Sequence, residues 1–310
     1  MVKERTKEKL ISIGLVSPTV LLIGIFVYGF IIWTIKLSFS DWNTFAKLLK
    51  GKFKFVGLSN YTKLLFQDPR FPSDLWNTLF FTILFLLGCV ALGIILALLL
   101  DRALKGSIIF QNIYLLPMAV AFVVTGTVWR WIFAPGISAY PQGINLLFSK
   151  LGLNALRWGW FVSTEHIGPF NLALIPLVIA ATWQLSGYVM AMCLAGLRGI
   201  PSQLIEAAQV DGASSWQVFW KVELPLLRPI IFSAMIILGH ISLKIFDLVF
   251  SMTGSGPNLA VDVPALYMFE TTFERLRYAR GAAIAIIMLA MVSFIIIPYL
   301  VSSMKRGAKK

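Results

Sequence analysis

His240, Lys244 and Asp247 stand four and three residues apart inside one long apolar run. On a helix that spacing puts all three on one face. A charge at the centre of a bilayer costs roughly 2.5–3.5 kcal/mol on insertion scales. Such a stripe therefore needs a wet cavity, a polar partner or internal pairing. Either it lines a path for a polar solute, or Lys244 and Asp247 pair within the helix and tie a bundle together. Trp183, Gln184 and Tyr188 make a second patch, with Gln184 and Tyr188 one helical turn apart. Amides and phenols hydrogen-bond hydroxyl groups, and aromatic rings take the C–H faces of sugars. Ordinary helix packing is the competing reading of Trp183 and Tyr188.

Other chemistries find no residues. There is no Gly-rich phosphate loop ending in Gly-Lys-Ser/Thr and no His-Glu-x-x-His pair. No Gly-x-Ser-x-Gly nucleophile elbow occurs. His166 and His240 lie on different segments, and Cys89 and Cys193 are embedded in separate apolar runs, as expected of buried thiols. No catalytic residue, metal ligand or cofactor of its own is expected.

Composition sets the class. Of 310 residues, 58% are hydrophobic and only 13% are charged, against about 25% charged in soluble domains. The net charge of +13 fits basic loops facing anionic headgroups; no soluble basic domain is present to hold nucleic acid. Lys3, Arg5, Lys7 and Lys9 precede an apolar run too long for a signal peptide, with no small-residue cleavage site.

A bilayer core takes about 20 apolar helical residues. Six runs qualify, at about 12–36, 75–100, 108–133, 172–197, 230–252 and 282–303. Pro18, Pro117, Pro176 and Pro298 fall inside them, which suits helices packed round a path. Gly93 with Ala97, Ala191 with Ala195, and Ala195 with Gly199 would allow close helix contact. Six spans put both termini on one side. With the termini inside, 13 basic residues fall inside and 12 outside, so the count barely decides. The two tails and the short turn with Arg102 and Lys105 weigh most and favour cytoplasmic termini. Asp41-Trp42, Asn60-Tyr61 and the 47–54 lysine cluster suggest an ordered lobe outside the membrane. Trp158 and Trp160, near Glu165 and His166, read as interface anchors.

One polar stretch separates two apolar runs. Pro201-Ser202 opens a short helix, with Ser202 able to cap it. Glu206-Ala207-Ala208-Gln209-Val210-Asp211-Gly212 follows, and Gly212 can take the positive φ that ends a helix. Ser214-Ser215-Trp216-Gln217 reads as a capping box that starts a second helix. Leu224-Pro225 and Arg228-Pro229 mark the next break. From physics alone, an interfacial loop over lipid headgroups competes with a docking element.

Glu206-Ala207-Ala208, Gly212, Val222, Leu224 and Pro225 together resemble the "EAA" signature of permease subunits of ATP-binding-cassette (ABC) importers, with Val222 where isoleucine is usual. The text 56–61, Leu115-Leu116-Pro117, Phe246-Asp247 and Thr253-Gly254-Ser255-Gly256-Pro257 resembles the carbohydrate-uptake branch, relatives of the maltose and glycerol-phosphate permeases. The resemblance covers about residues 10–305. It implies an all-α membrane protein of six transmembrane helices, a type I importer permease fold with a cytoplasmic coupling helix at about 202–213. Residues 1–10 would be a cytoplasmic tail, 11–36 a peripheral first span, 37–74 an extracytoplasmic loop, 75–304 the permease core and 305–310 a second cytoplasmic tail.

The resemblance also implies the machinery. A second homologous permease, two cytoplasmic ATPase subunits, an extracytoplasmic solute-binding protein and membrane lipid would be partners. ATP and magnesium would sit on the ATPases. Glu206, Ala207, Ala208, Asp211, Gly212, Leu224 and Pro225 would couple to them. The sugar would pass Trp183, Gln184, Tyr188, His240, Lys244 and Asp247, of which Tyr188 and Lys244 fall at or near the family's sugar-contact positions. The 253–257 turn would lie near the outer gate. Three rivals remain: an importer of an anionic polyol such as glycerol phosphate, a stand-alone proton-coupled transporter using His240 and Asp247, and a membrane scaffold.

Overall fold

The computed structural model describes residues 2–51, 54–101 and 106–307, with backbone alone for 2–11, 48, 300 and 302–307. Lys52, the short turn with Arg102 and Lys105, and the last three residues lie outside the described residues. The chain divides into two compact units, residues 1–68 with 268–289, and residues 69–267 with 290–310.

Among the described residues, five helices are long and apolar enough to cross a membrane. They are α1 (Ser12–Ser38), α2 (Arg70–Asp101), α5 (Leu172–Arg198), α7 (Ser215–Leu243) and the Tyr278–Tyr299 part of α9 (Tyr278–Gly307). Between α2 and α5 run α3 (Ser107–Ala119) and α4 (Phe122–Ile132), bent by 100° at their junction. The single straight span expected at 108–133 is therefore a broken one. Val120 and Ala121 are extended, with ψ of 136° and 143°. Pro117 in the preceding turn is buried and cannot donate a helical hydrogen bond. A backbone break at membrane depth survives only where protein satisfies it.

In the first unit, residues 12–37 include no buried residue, so α1 has no inward face. Beyond it, Asn60 donates from Nδ2 to the carbonyls of Ser38 and Ser40, each at 2.8 Å. Asn43 donates to Asn60 Oδ1 at 3.0 Å. Asp41 accepts from Lys47 Nζ at 2.6 Å and from the Lys54 amide at 2.8 Å. Arg280 pairs with Asp68 and donates its amide to Asn43 Oδ1. This segment is thus held both by side-chain bonds to backbone and by side-chain pairs.

The core of the second unit is α2 against α5. A Cβ at Gly93 would come within 2.5 Å of the Val189 Cβ, and Ala97 is fully buried, so this pair works as the sequence suggested. Ala195 and Gly199 are exposed instead. Gly196 makes the close contact, where a Cβ would lie 2.4 Å from Ile230 Cδ1 on α7. Helix α2 begins at Arg70, five residues before the run at Leu75. Thr82 Oγ1 donates to Ser242 Oγ at 2.9 Å between α2 and α7.

In the loop after α4, Trp158 Nε1 donates to Glu165 Oε2 at 3.0 Å, and Trp160 Nε1 to Asn145 Oδ1 at 2.9 Å. Their polar tips staple the loop to itself. His166 is exposed, in the two-residue strand β1 (His166–Ile167) paired with β2 (Phe170–Asn171).

Candidate functional site

The polar stretch folds as a helical corner. α6 (Ser202–Val210) starts behind Pro201, which occupies the cap position, so Ser202 is the first helical residue and caps nothing. At its end the Ala213 amide donates to the Ala208 carbonyl at 2.9 Å and the Gly212 amide to the Gln209 carbonyl at 3.0 Å. This double closure requires a left-handed residue, and Gly212 has φ of +79°. Ser214 then caps α7: its amide donates to Gln217 Oε1 at 2.8 Å, and Gln217 returns its amide to Ser214 Oγ. The expected capping box is formed.

Glu206, Ala207, Asp211 and Gly212 are exposed, Ala208 half-buried. Val210 is 87% exposed and Trp216 69%, so the corner turns apolar side chains as well as carboxylates outward. Leu224 and Pro225 are half-buried. They do not break the chain as expected: α7 runs on through both Pro225 and Pro229. A wider π-type turn at Phe219–Glu223 precedes them, and such a turn absorbs the bond that a proline cannot make.

The intramembrane residues separate into different places. Trp183 is 44% exposed, and its ring meets that of Trp129 edge-on at 5.8 Å. Both line a cavity of about 810 Å³ with Tyr114, Thr182 and Ser186. The wall is otherwise apolar. Gln184 does not share it. Only 2% exposed, it donates from Nε2 to the Val120 carbonyl at 2.6 Å, at the α3–α4 break. Tyr188, one turn on, is half-buried and lies outside the cavity wall.

His240, Lys244 and Asp247 do not form the expected stripe. α7 ends at Leu243, Lys244 leaves helical geometry with φ of −119°, and a new helix α8 (Asp247–Met252) begins at Asp247. The i, i+4, i+7 rule needs one continuous helix, and this one is cut between the second and third residues. Asp247 instead occupies the first turn of α8, where a helix dipole favours a carboxylate. His240 is half-buried; Lys244 and Asp247 are exposed. Among the described residues no ion pair reaches either.

Residues 89–306 match the binding-protein-dependent transport system inner membrane component. A probable ABC transporter permease of Pyrococcus horikoshii is 40% identical over 288 residues, covering 93% of this chain and 94% of that one. The chain belongs to this family. A xylose/arabinose import permease of Haloferax volcanii is 34% identical over 287 residues, 92% of this chain and 86% of its own. The crystal structure of a bacterial alginate ABC transporter, in complex with its alginate pentasaccharide-bound periplasmic protein, has a chain of like fold. It superposes with a TM-score of 0.75 at 22% identity, covering 94% of both chains. The protein is thus an ABC permease subunit of the inner membrane, with a type I importer fold, and not itself an enzyme.

In this permease the sequence reading missed one buried polar cluster. Arg70 and Asp262 are 8% and 0% exposed and lie 2.5 Å apart. Asn77 donates to the Asp262 carbonyl at 2.9 Å, and Asn171 donates to Asn77 Oδ1 at 2.7 Å. Asp74, fully buried, stands on the same face of α2. The signal was available: Arg70, Asp74 and Asn77 recur at helical spacing. Starting the span at Leu75 hid it.

Proposed function

We propose that this chain is the membrane-spanning subunit of an ATP-driven importer that carries a mono- or oligosaccharide by alternating access. One observation carries the reading: α6 and the Gly212 corner turn Glu206, Asp211, Val210 and Trp216 outward, a surface suited to a separate protein. Ala207 and Ala208 permit close approach, and Gly212 fixes the angle. Two ATPase subunits seated there would carry ATP and magnesium; this chain would bind neither. Their closure would move α6 as a rigid lever through Leu224 and Pro225, with both termini cytoplasmic.

A second, homologous permease subunit and an external binding protein complete the machine. The binding protein in the alginate complex supports the latter, and the xylose/arabinose relative supports a sugar. Trp183 offers a stacking ring in the cavity, while Tyr188, His240, Lys244 and Asp247 supply polar groups along the path. Gln184 would act on that path through the break it holds. The test is Glu206→Ala and Gly212→Pro in the assembled transporter: uptake should be abolished while sugar still binds the external protein. Normal uptake by both variants would contradict the lever.

The exposed Lys244, with no carboxylate paired to it among the described residues, favours a second reading, an anionic polyol as cargo. Competition between sugars and phosphorylated polyols for uptake separates the two. His240 and Asp247 stand on separate helices, so a proton relay between them, the third reading, would not run along one helix face.

A further inference from the structure

We propose that Phe45, Leu49, Lys50, Lys54 and Phe55, in the loop after α1, form a docking site for anionic lipid headgroups that pins the end of α1 to the membrane surface. α1 ends at Ser38, with Lys36 exposed in its last turn. A lysine there snorkels to the headgroups, so Lys36 marks the edge of the hydrocarbon. Phe39 stands three residues on, about 4.5 Å along a helix axis. The headgroup layer on each side of a bilayer is roughly 5–8 Å thick. Phe39 therefore lies within it.

The chain then folds back to that level. The Val56 amide donates to the Phe39 carbonyl at 2.8 Å, and the Asp41 amide to the Lys54 carbonyl at 3.1 Å. The Phe55 ring stacks on the Phe39 ring with centroids 6.0 Å apart. Both ends of the loop are thus tied to the membrane end of α1. Within it, Phe45 and Leu49 sit one turn apart in the short helix Phe45–Leu49 and share a face. They are 55% and 72% exposed, and Phe55 is 75% exposed. None belongs to a span, so the hydrocarbon round a crossing helix does not account for them.

Charge points the same way. Residues 36–67 carry six lysines and one acidic residue, Asp41. Asp41 is engaged by Lys47. Lys50 and Lys54 are exposed, and among the described residues no carboxylate pairs with either. Apolar side chains interleaved with uncompensated lysines suit a lipid surface: the rings enter the acyl boundary and the ammonium groups stay with the phosphates. The bilayer that would supply those phosphates is a few ångströms away along α1. The site needs only that α1 spans a membrane, and it stands whatever the permease carries.

The test places a bimane fluorophore on Ala46→Cys in the full-length chain, held in lipid nanodiscs. Ala46 is exposed in the same turn, and Cys89 and Cys193 are buried, so the label goes to the new thiol. Lipid spin-labelled at the headgroup quenches a label that lies at the surface. Quenching should be strong in discs of phosphatidylcholine with phosphatidylglycerol and weak in phosphatidylcholine alone, and it should fade as salt screens the charges. Lys50→Gln and Lys54→Gln should each shift the balance between docked and free label about fivefold toward free. Lys50→Arg should not. If a variant does not fold, the lipid and salt comparisons on the unaltered lysines decide alone. Equal quenching in both lipids, or quenching unmoved by both glutamine variants, overturns the site. So does a label that is shielded only when a soluble binding protein is added, which would make this surface a protein contact.

Discussion

Gln184 Nε2 lies 2.6 Å from the Val120 carbonyl oxygen, so a side chain on α5 closes the backbone gap where α3 turns into α4. The break and the glutamine are parts of one device. Gln184→Leu should leave that carbonyl without its donor and cost about 1–3 kcal/mol. Thermal unfolding of the purified permease checks this. A melting temperature equal to wild type would mean the bond contributes nothing.

The glycines facing neighbouring helices should differ in tolerance. A Cβ at Gly187 would lie 2.1 Å from the Tyr114 carbonyl oxygen, whereas at Gly88 the obstacle is the Thr182 hydroxyl at 2.9 Å. Backbone cannot rotate away, but a threonine side chain can. Gly187→Ala should therefore destabilise by about 1–3 kcal/mol or more, and Gly88→Ala by less. Equal losses on denaturation would refute the ordering.

At the corner, Ser214→Ala should remove the cap of α7 at a cost of about 1 kcal/mol. Because most of α6 and residues Ser215, Trp216 and Gln217 of α7 are exposed, the rest of the fold should survive. ATPase activity in the assembled complex, with and without loaded binding protein, reads the effect. We expect a smaller stimulation with unchanged basal hydrolysis.

Asp41 supplies a pH dependence. The hydrogen bond from Lys47, then that from the Lys54 amide, holds its carboxyl below the ordinary value of 3.8. A depressed folded pKa contributes stability that is fully present above the unfolded value and is lost as pH falls through the folded one. The 41–54 segment should therefore stay closed at neutral pH and loosen only below the usual carboxylate range. Limited proteolysis by an acid-active protease checks this. Asp41→Asn should cleave equally at every pH.

The membrane class, the span centres and the α6–Gly212–α7 corner were legible because each rests on local rules: apolar length, capping chemistry and one left-handed glycine. The breaks were not. Hydropathy is blind to where a helix stops inside an apolar run, so the ends at Val120 and Lys244 left no mark. Proline misled in both directions: Pro117 accompanies a break, whereas Pro225 and Pro229 do not interrupt α7. Gln184 reads the same whether it faces solute or backbone. The pairing of Arg70 with Asp262 joins residues 192 positions apart, and no spacing rule reaches that far.

The π-type turn at Phe219–Glu223 stands between the outward corner and the membrane part of α7. A turn that holds one residue more than an α turn sets the phase of everything on its far side. Deleting a single residue there would rewind it and swing α6 by about 100° around the helix axis. The permease would keep every side chain of that exposed corner and present the corner in another direction.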